Sequence, residues 1–85
     1  MPVIPDAHQF RAARHLLDLS QKAVGVQSSI AYATVQTTES GLVEPTITTV
    51  TKLREFYEAR GIEFAEGGWV RLSNAVTRKT HQAPT

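Results

Sequence analysis

Residues Leu19 to Gly41 read LSQKAVGVQSSIAYATVQTTESG, and they carry the start and stop signals of two short helices joined by a tight turn. Ser20 is a good N-cap, since its hydroxyl can accept a first-turn amide hydrogen, and Gln21 to Gln27 can follow as a helix with Val24 facing inward. Ser28, Ser29 and Ile30 form the turn, with one apolar side chain to bury. A second helix, over about Tyr32 to Thr38, buries Val35, and Gly41 stands just past its end as a stop. Gly25 costs the first helix about 1 kcal/mol against alanine. It predicts that another helix approaches closely at that point. The run AYATVQTT contains no charged residue.

The flanking segments supply what these two helices pack against. Asp6 and Gln9 resemble a capping box that opens a helix over about Ala7 to Leu17, with Phe10, Ala13 and Leu17 on one face and Leu19 in the corner below. After the linker LVEP, where Pro45 disfavours helix at Glu44, Thr46 can cap a fourth helix. Its inward stripe is Ile47, Val50, Leu53 and Tyr57, and it ends at Gly61 behind the cation Arg60. In IEFAEGGWVRL, Ile62 and Phe64 alternate, Glu66-Gly67-Gly68 turn, and Val70 and Leu72 alternate again, the pattern of a short hairpin. A lone hairpin is marginal in water, so it must pack on the helices or on a second subunit. The expected fold is mainly α, with four to five helices and a C-terminal β-hairpin over residues 1–72, followed by a flexible tail at 73–85.

Composition narrows the function. An 85-residue chain that is 41% hydrophobic and 20% charged has room for one small core. It has no cysteine, and His8, His15 and His81 lack metal-ligand spacing, so neither a metal nor a cofactor is expected. His8 and His15 read as surface helix residues. The Thr46-Thr48-Thr49-Thr51 series reads as a cap plus the polar face of its helix. No apolar run approaches the roughly 20 residues that span a bilayer, and the proline-interrupted N-terminus is too short for a signal peptide. A soluble, cytoplasmic protein is expected. No Ser-His-Asp, paired-carboxylate or phosphate-loop arrangement is present in the sequence, so an enzyme is not expected. The net charge of +1 does not by itself suggest nucleic acid.

Motif spacing suggests it instead. Arg11, Arg14, Leu19-Ser20-Gln21, Gly25, Thr34-Val35-Gln36, Glu39, Gly41, Pro45, Val50 and Leu53 follow one another as Arg-x-x-Arg, Leu-Ser-Gln, a small residue, a turn, Thr-Ile-Ser-x-x-Glu-x-Gly, Pro and a Leu-rich helix. From Arg11 to about Leu72 the chain thus resembles the Cro/phage-repressor type of helix-turn-helix regulator, the XRE family. The match runs without a gap from Gln21 to Glu39. The resemblance implies a repressor-like domain of bacterial, phage or mobile-element origin, dimeric, that represses transcription from a pseudo-palindromic operator in double-stranded DNA, often its own.

Carried over by position, the resemblance implies a DNA-binding set of Gln21, Lys22, Tyr32, Ala33, Thr34, Gln36 and Thr37. The second helix sits over phosphates with its free amides. Gln21 touches phosphate or a neighbouring recognition side chain, Thr34 lies near phosphate, and Tyr32, Ala33, Gln36 and Thr37 face bases. Gln can pair with adenine, and Thr or Tyr can touch a thymine methyl. Arg14 and Glu39 match the family's internal ion pair; the alternative is two unrelated surface charges. Further phosphate contacts fall to Lys22, Arg11, Arg54, Arg78 and Lys79. Phe56, Phe64, Trp69 and Leu72 are candidates for a homodimer contact, or else padding for the monomer's own core.

The chain also departs from the pattern. The family's Ala-Gly-Val-Ser turn is replaced by Ser28-Ser29-Ile30-Ala31, with Ser29 in the glycine's place and Ala31 in that of the capping serine. The alanine of the second helix is Gly25. These departures and the uncharged recognition helix motivate an alternative. In it the fold serves as an interaction module for another regulatory protein, like an antiactivator or antitoxin, with Tyr32 as an anchor.

Overall fold

In the computed structural model, which describes residues 4–73, four helices are followed by a hairpin. The helices are α1 (Ala7–Leu16), α2 (Gln21–Ser28), α3 (Tyr32–Ser40) and α4 (Ile47–Glu58), and the strands are β1 (Ile62–Phe64) and β2 (Val70–Leu72). Most of the tail expected at 73–85, with Arg78, Lys79 and His81, lies outside the described residues. Among the described residues no helix is long and apolar enough to cross a membrane.

The caps act as their residue types dictate. The Asp6 carboxylate accepts from the Gln9 amide at 2.9 Å while the Gln9 side chain accepts from the Asp6 amide at 3.0 Å, closing a capping box. Ser20 accepts from Ala23 N at 3.0 Å and Thr46 from Thr49 N at 3.2 Å. Helix α3 ends on Gly41, whose φ of 74° lies in the left-handed region that glycine enters without a Cβ clash.

The core is Phe10, Ala13, Val24, Ile30, Val35, Val50, Leu53, Phe56, Tyr57 and Ile62, with Leu17, Leu19, Phe64 and Val70 packed against it. The antiparallel hairpin pairs Ile62 with Leu72 and Phe64 with Val70. Its strands lie against α4 and α1. Gln9, buried within α1, donates from Nε2 to the carbonyls of Ala65 at 3.0 Å and Trp69 at 3.3 Å, which ties the hairpin turn to the start of the fold. Both carbonyls also accept backbone bonds within the turn, Ala65 from Gly68 N and Trp69 from Ala65 N, so what the Gln9 contacts add is a tie between the turn and α1. The Tyr57 phenol is buried with no protein hydrogen-bond partner among the described residues. Burial pushes its pKa well above the ordinary range, the charge of Glu39 adding to the shift and Arg14 opposing it.

One expectation about the core needs correction, and of the two readings open for Phe56 and Phe64 the structure favours padding of the monomer's own core. Ile47 is 67% exposed rather than part of the inward stripe. It is the first residue of α4, and the buried stripe begins one turn later at Val50. Phe56 and Phe64 are not free for a partner. Phe56 is a core residue with the Arg60 guanidinium stacked 3.7 Å from its ring centroid, and Phe64 meets Phe10 edge-on at 5.7 Å. Trp69 and Leu72 remain exposed on the hairpin. A second apolar surface was not anticipated: Ile4, Leu42, Val43 and Ile47, all exposed, line a groove between the segment before α1 and the α3–α4 linker.

Candidate nucleic-acid interface

The turn between α2 and α3 places a left-handed residue where the resemblance expects glycine, and opens α3 without the serine cap that the resemblance expects. Ser29 caps α2 in the left-handed region at φ 62° and ψ 33°, a conformation that disfavours a residue with a Cβ. Ala31 begins α3 with no side-chain cap, so one first-turn amide loses the partner a serine would supply. Gly25 is buried where a Cβ would lie 2.9 Å from the Ile30 carbonyl and 3.4 Å from the Tyr32 backbone. The close approach predicted from Gly25 therefore exists, and the approaching segment is the turn and the start of α3.

The far end of α3 is locked by charge. Arg14 Nε donates to Glu39 Oε2 at 2.8 Å and Oε1 at 3.1 Å, and Arg14 Nη1 donates to the Leu19 carbonyl at 3.0 Å. Gln21 Nε2 donates to Glu39 Oε1 at 3.1 Å. Glu39 is only 3% exposed. One carboxylate therefore joins α1, the start of α2 and the end of α3. Its hydrogen bond and charge hold the Arg14 guanidinium protonated more firmly than usual, against the opposing effect of burial. The ion pair expected from sequence is formed, and Gln21 takes the option of contacting a side chain on α3. That leaves one hydrogen of its amide for an outside acceptor.

The other residues of α3 and its flanks separate cleanly by exposure. Val35 is 1% exposed and belongs to the core. Tyr32, Ala33, Gln36 and Thr37 are all exposed and lie at i, i+1, i+4 and i+5, one face of the helix, with Thr34 half-buried beside them. Lys22 is exposed on α2. Arg11 is already engaged: Nη1 donates to the Glu39 carbonyl at 3.1 Å, a cation at the C-terminal end of α3, and Nη2 lies 2.7 Å from His8 Nδ1. Arg54 lies 3.9 Å from Glu58 on its own helix. Among the described residues, no group of His, Cys, Asp and Glu side chains is placed to hold a metal ion.

The resulting surface is an exposed helix face with hydrogen-bonding capacity, methyl groups and an aromatic ring but no formal charge. A helix of this kind fits a major groove about 12 Å wide, or a groove on a protein. Compared with protein-family models, with curated proteins and with solved structures, the chain matches none.

Proposed function

We propose that this protein is a sequence-specific DNA-binding transcriptional regulator, a repressor that acts as a homodimer on a pseudo-palindromic operator with α3 in the major groove. The observation that carries the reading is that α3 is clamped at its C-terminal end by the Glu39 network while Tyr32, Ala33, Gln36 and Thr37 all stand exposed on one face. A rigid helix with an outward polar face is what base reading requires. Lys22 and the first amides of α2 take the phosphates in this proposal.

Because α3 carries no cation, binding depends less on salt than in most small DNA-binding domains. With Lys22 as the one cation placed on phosphate in each protomer, log K against log salt concentration should fall with a slope of about −2 for the dimer. Lys22→Ala should flatten it toward zero. Fluorescence anisotropy on the DNA just upstream of the protein's own coding sequence, from low to moderate salt, measures both. Gln36→Ala should weaken binding at every salt concentration without altering the slope. If no upstream fragment binds at micromolar dimer, the DNA reading is wrong.

One observation favours a second reading. The surface formed by Tyr32 (48% exposed), Ala33, Gln36 and Thr37 is neutral, and the linker after α3 presents Leu42, Val43 and Glu44 rather than cations. In that reading the face docks on a protein partner, and binding is nearly independent of salt.

The homodimer uses the exposed hairpin residues Trp69 and Leu72, since Phe56 and Phe64 are spent inside. Trp69→Ala should raise the dimer dissociation constant at least tenfold in sedimentation equilibrium, as loss of a large aromatic at a contact does. An unchanged dimer would instead direct attention to the groove lined by Ile4, Leu42, Val43 and Ile47.

A further inference from the structure

The geometry points to a half-site made of A·T pairs, read through thymine methyl groups and a single adenine. This rests on the DNA-binding reading above. Each base pair offers a distinct pattern in the major groove. Guanine shows two acceptors, cytosine an amino donor, adenine one acceptor beside one donor, and thymine an acceptor and a methyl group.

Side chains on the exposed face of α3 match only part of that code. Gln36 has a carboxamide with no hydrogen bond to hold it among the described residues, so its donor and acceptor are both free to meet the N6 and N7 positions of adenine. Thr37 is different. Its hydroxyl donates to the Ala33 carbonyl at 2.7 Å, so the proton is used inside the helix and the side chain has no donor for guanine. What it offers outward is a methyl group on a stiff, β-branched side chain. Ala33 adds another methyl and Tyr32 an aromatic ring, and both suit the thymine methyl.

Guanine and cytosine find a poorer match, since Gln36, the Tyr32 hydroxyl and the Thr37 oxygen offer them only uncharged hydrogen bonds. The face has no arginine or lysine to fork onto the two guanine acceptors. The one carboxylate of α3, on Glu39, is buried and already accepts from Arg14 and Gln21, so the helix has none to offer cytosine N4.

Two measurements on the full chain test the inference. Selection from a library of randomised duplexes should enrich A·T pairs at the central positions of each half-site. Replacing thymine by uracil there removes only the 5-methyl group, and should weaken binding roughly fourfold per contacted methyl, the cost of re-exposing one methyl-sized apolar group. Gln36→Ala should lose about tenfold in affinity and the adenine preference at one position, leaving the uracil effect intact. Enrichment of G·C pairs, or equal affinity for thymine and uracil duplexes, overturns the inference while leaving DNA binding standing. Binding to no duplex at all overturns both.

Discussion

Glu39→Ala should destabilise the protein by about 3 kcal/mol and lower its melting temperature by roughly 15 °C, while Glu44→Ala stays within about 0.5 kcal/mol. The contrast follows from surroundings, since the two substitutions are chemically identical. Glu44 is exposed in the α3–α4 linker. Glu39 is 3% exposed and accepts from Arg14 Nε through both oxygens and from Gln21 Nε2. Its removal strands a guanidinium that is only 13% exposed beside the buried Tyr57 ring. Breaking a buried pair by deleting one partner typically costs about 3–5 kcal/mol. The lower figure applies here because Arg14 keeps its bond to the Leu19 carbonyl and part of its side chain reaches water. Glu39→Gln, which preserves shape and one acceptor, should fall between the two. Thermal and urea unfolding of the three variants decide the matter, and equal midpoints for Glu39→Ala and Glu44→Ala would remove the network from the account of stability.

The effect should also extend to the proposed site. Glu39 secures the end of α3 farthest from Tyr32, so loosening it should let the exposed face move relative to α1 and α2. A destabilised Glu39 variant should therefore bind DNA more weakly even at temperatures where it is still folded. A Gln36 variant should bind weakly with an unchanged melting curve. Measuring stability and binding together separates a residue that positions the helix from one that touches the ligand.

Local chemistry made much of this legible in advance. Ser20, Asp6 and Thr46 cap because their side chains can reach nearby amides, and Gly41 stops α3 because glycine tolerates the left-handed turn. The inward position of Val35 follows from the helix expected over Tyr32 to Thr38, whereas the outward set Tyr32, Ala33, Gln36 and Thr37 is implied only by the resemblance to phage-repressor domains, and all four are exposed. Periodicity does not show where a core ends, so it places Ile47 in the buried stripe of α4 although the residue is exposed. It also cannot tell whether an aromatic is covered by its own chain or by another. Phe56 is covered by Arg60 stacking on its ring, and Phe64 by Phe10 and Tyr57. The contacts least visible in the sequence are those linking distant residues through polar groups. Gln9 reaches the hairpin turn and Arg11 reaches the end of α3, and neither leaves a local pattern. The Arg11 contact bears on the proposed function, because it ties to the end of α3 a guanidinium that the sequence reading assigns to phosphate.

Gly25 sets two effects against each other, and the outcome should be a loss of stability. Alanine is the better helix former by about 1 kcal/mol, and the resemblance to phage-repressor domains places an alanine here. On helix propensity alone, Gly25→Ala should stabilise α2. The structure opposes this, since the new Cβ would lie 2.9 Å from the Ile30 carbonyl oxygen, closer than such contacts tolerate. The obstacle is backbone rather than a side chain that can swing away. It belongs to a turn constrained twice, by Ser29 at φ 62° and by the bond from Ile30 N to the Gly25 carbonyl at 3.1 Å. Overpacking of this kind costs about 1–3 kcal/mol, which outweighs the gain in propensity. Gly25→Ala should therefore lower stability by about 1 kcal/mol, and Gly25→Val, with two further methyl groups against the start of α3, by more than 3 kcal/mol. The shift would act on the Tyr32 backbone, 3.4 Å from the same Cβ, so the proposed reading face should be displaced as well. Urea unfolding gives the stabilities. If Gly25→Ala is as stable as the parent or more so, the turn can retreat from α2, and the close approach of α3 does not require glycine at this position.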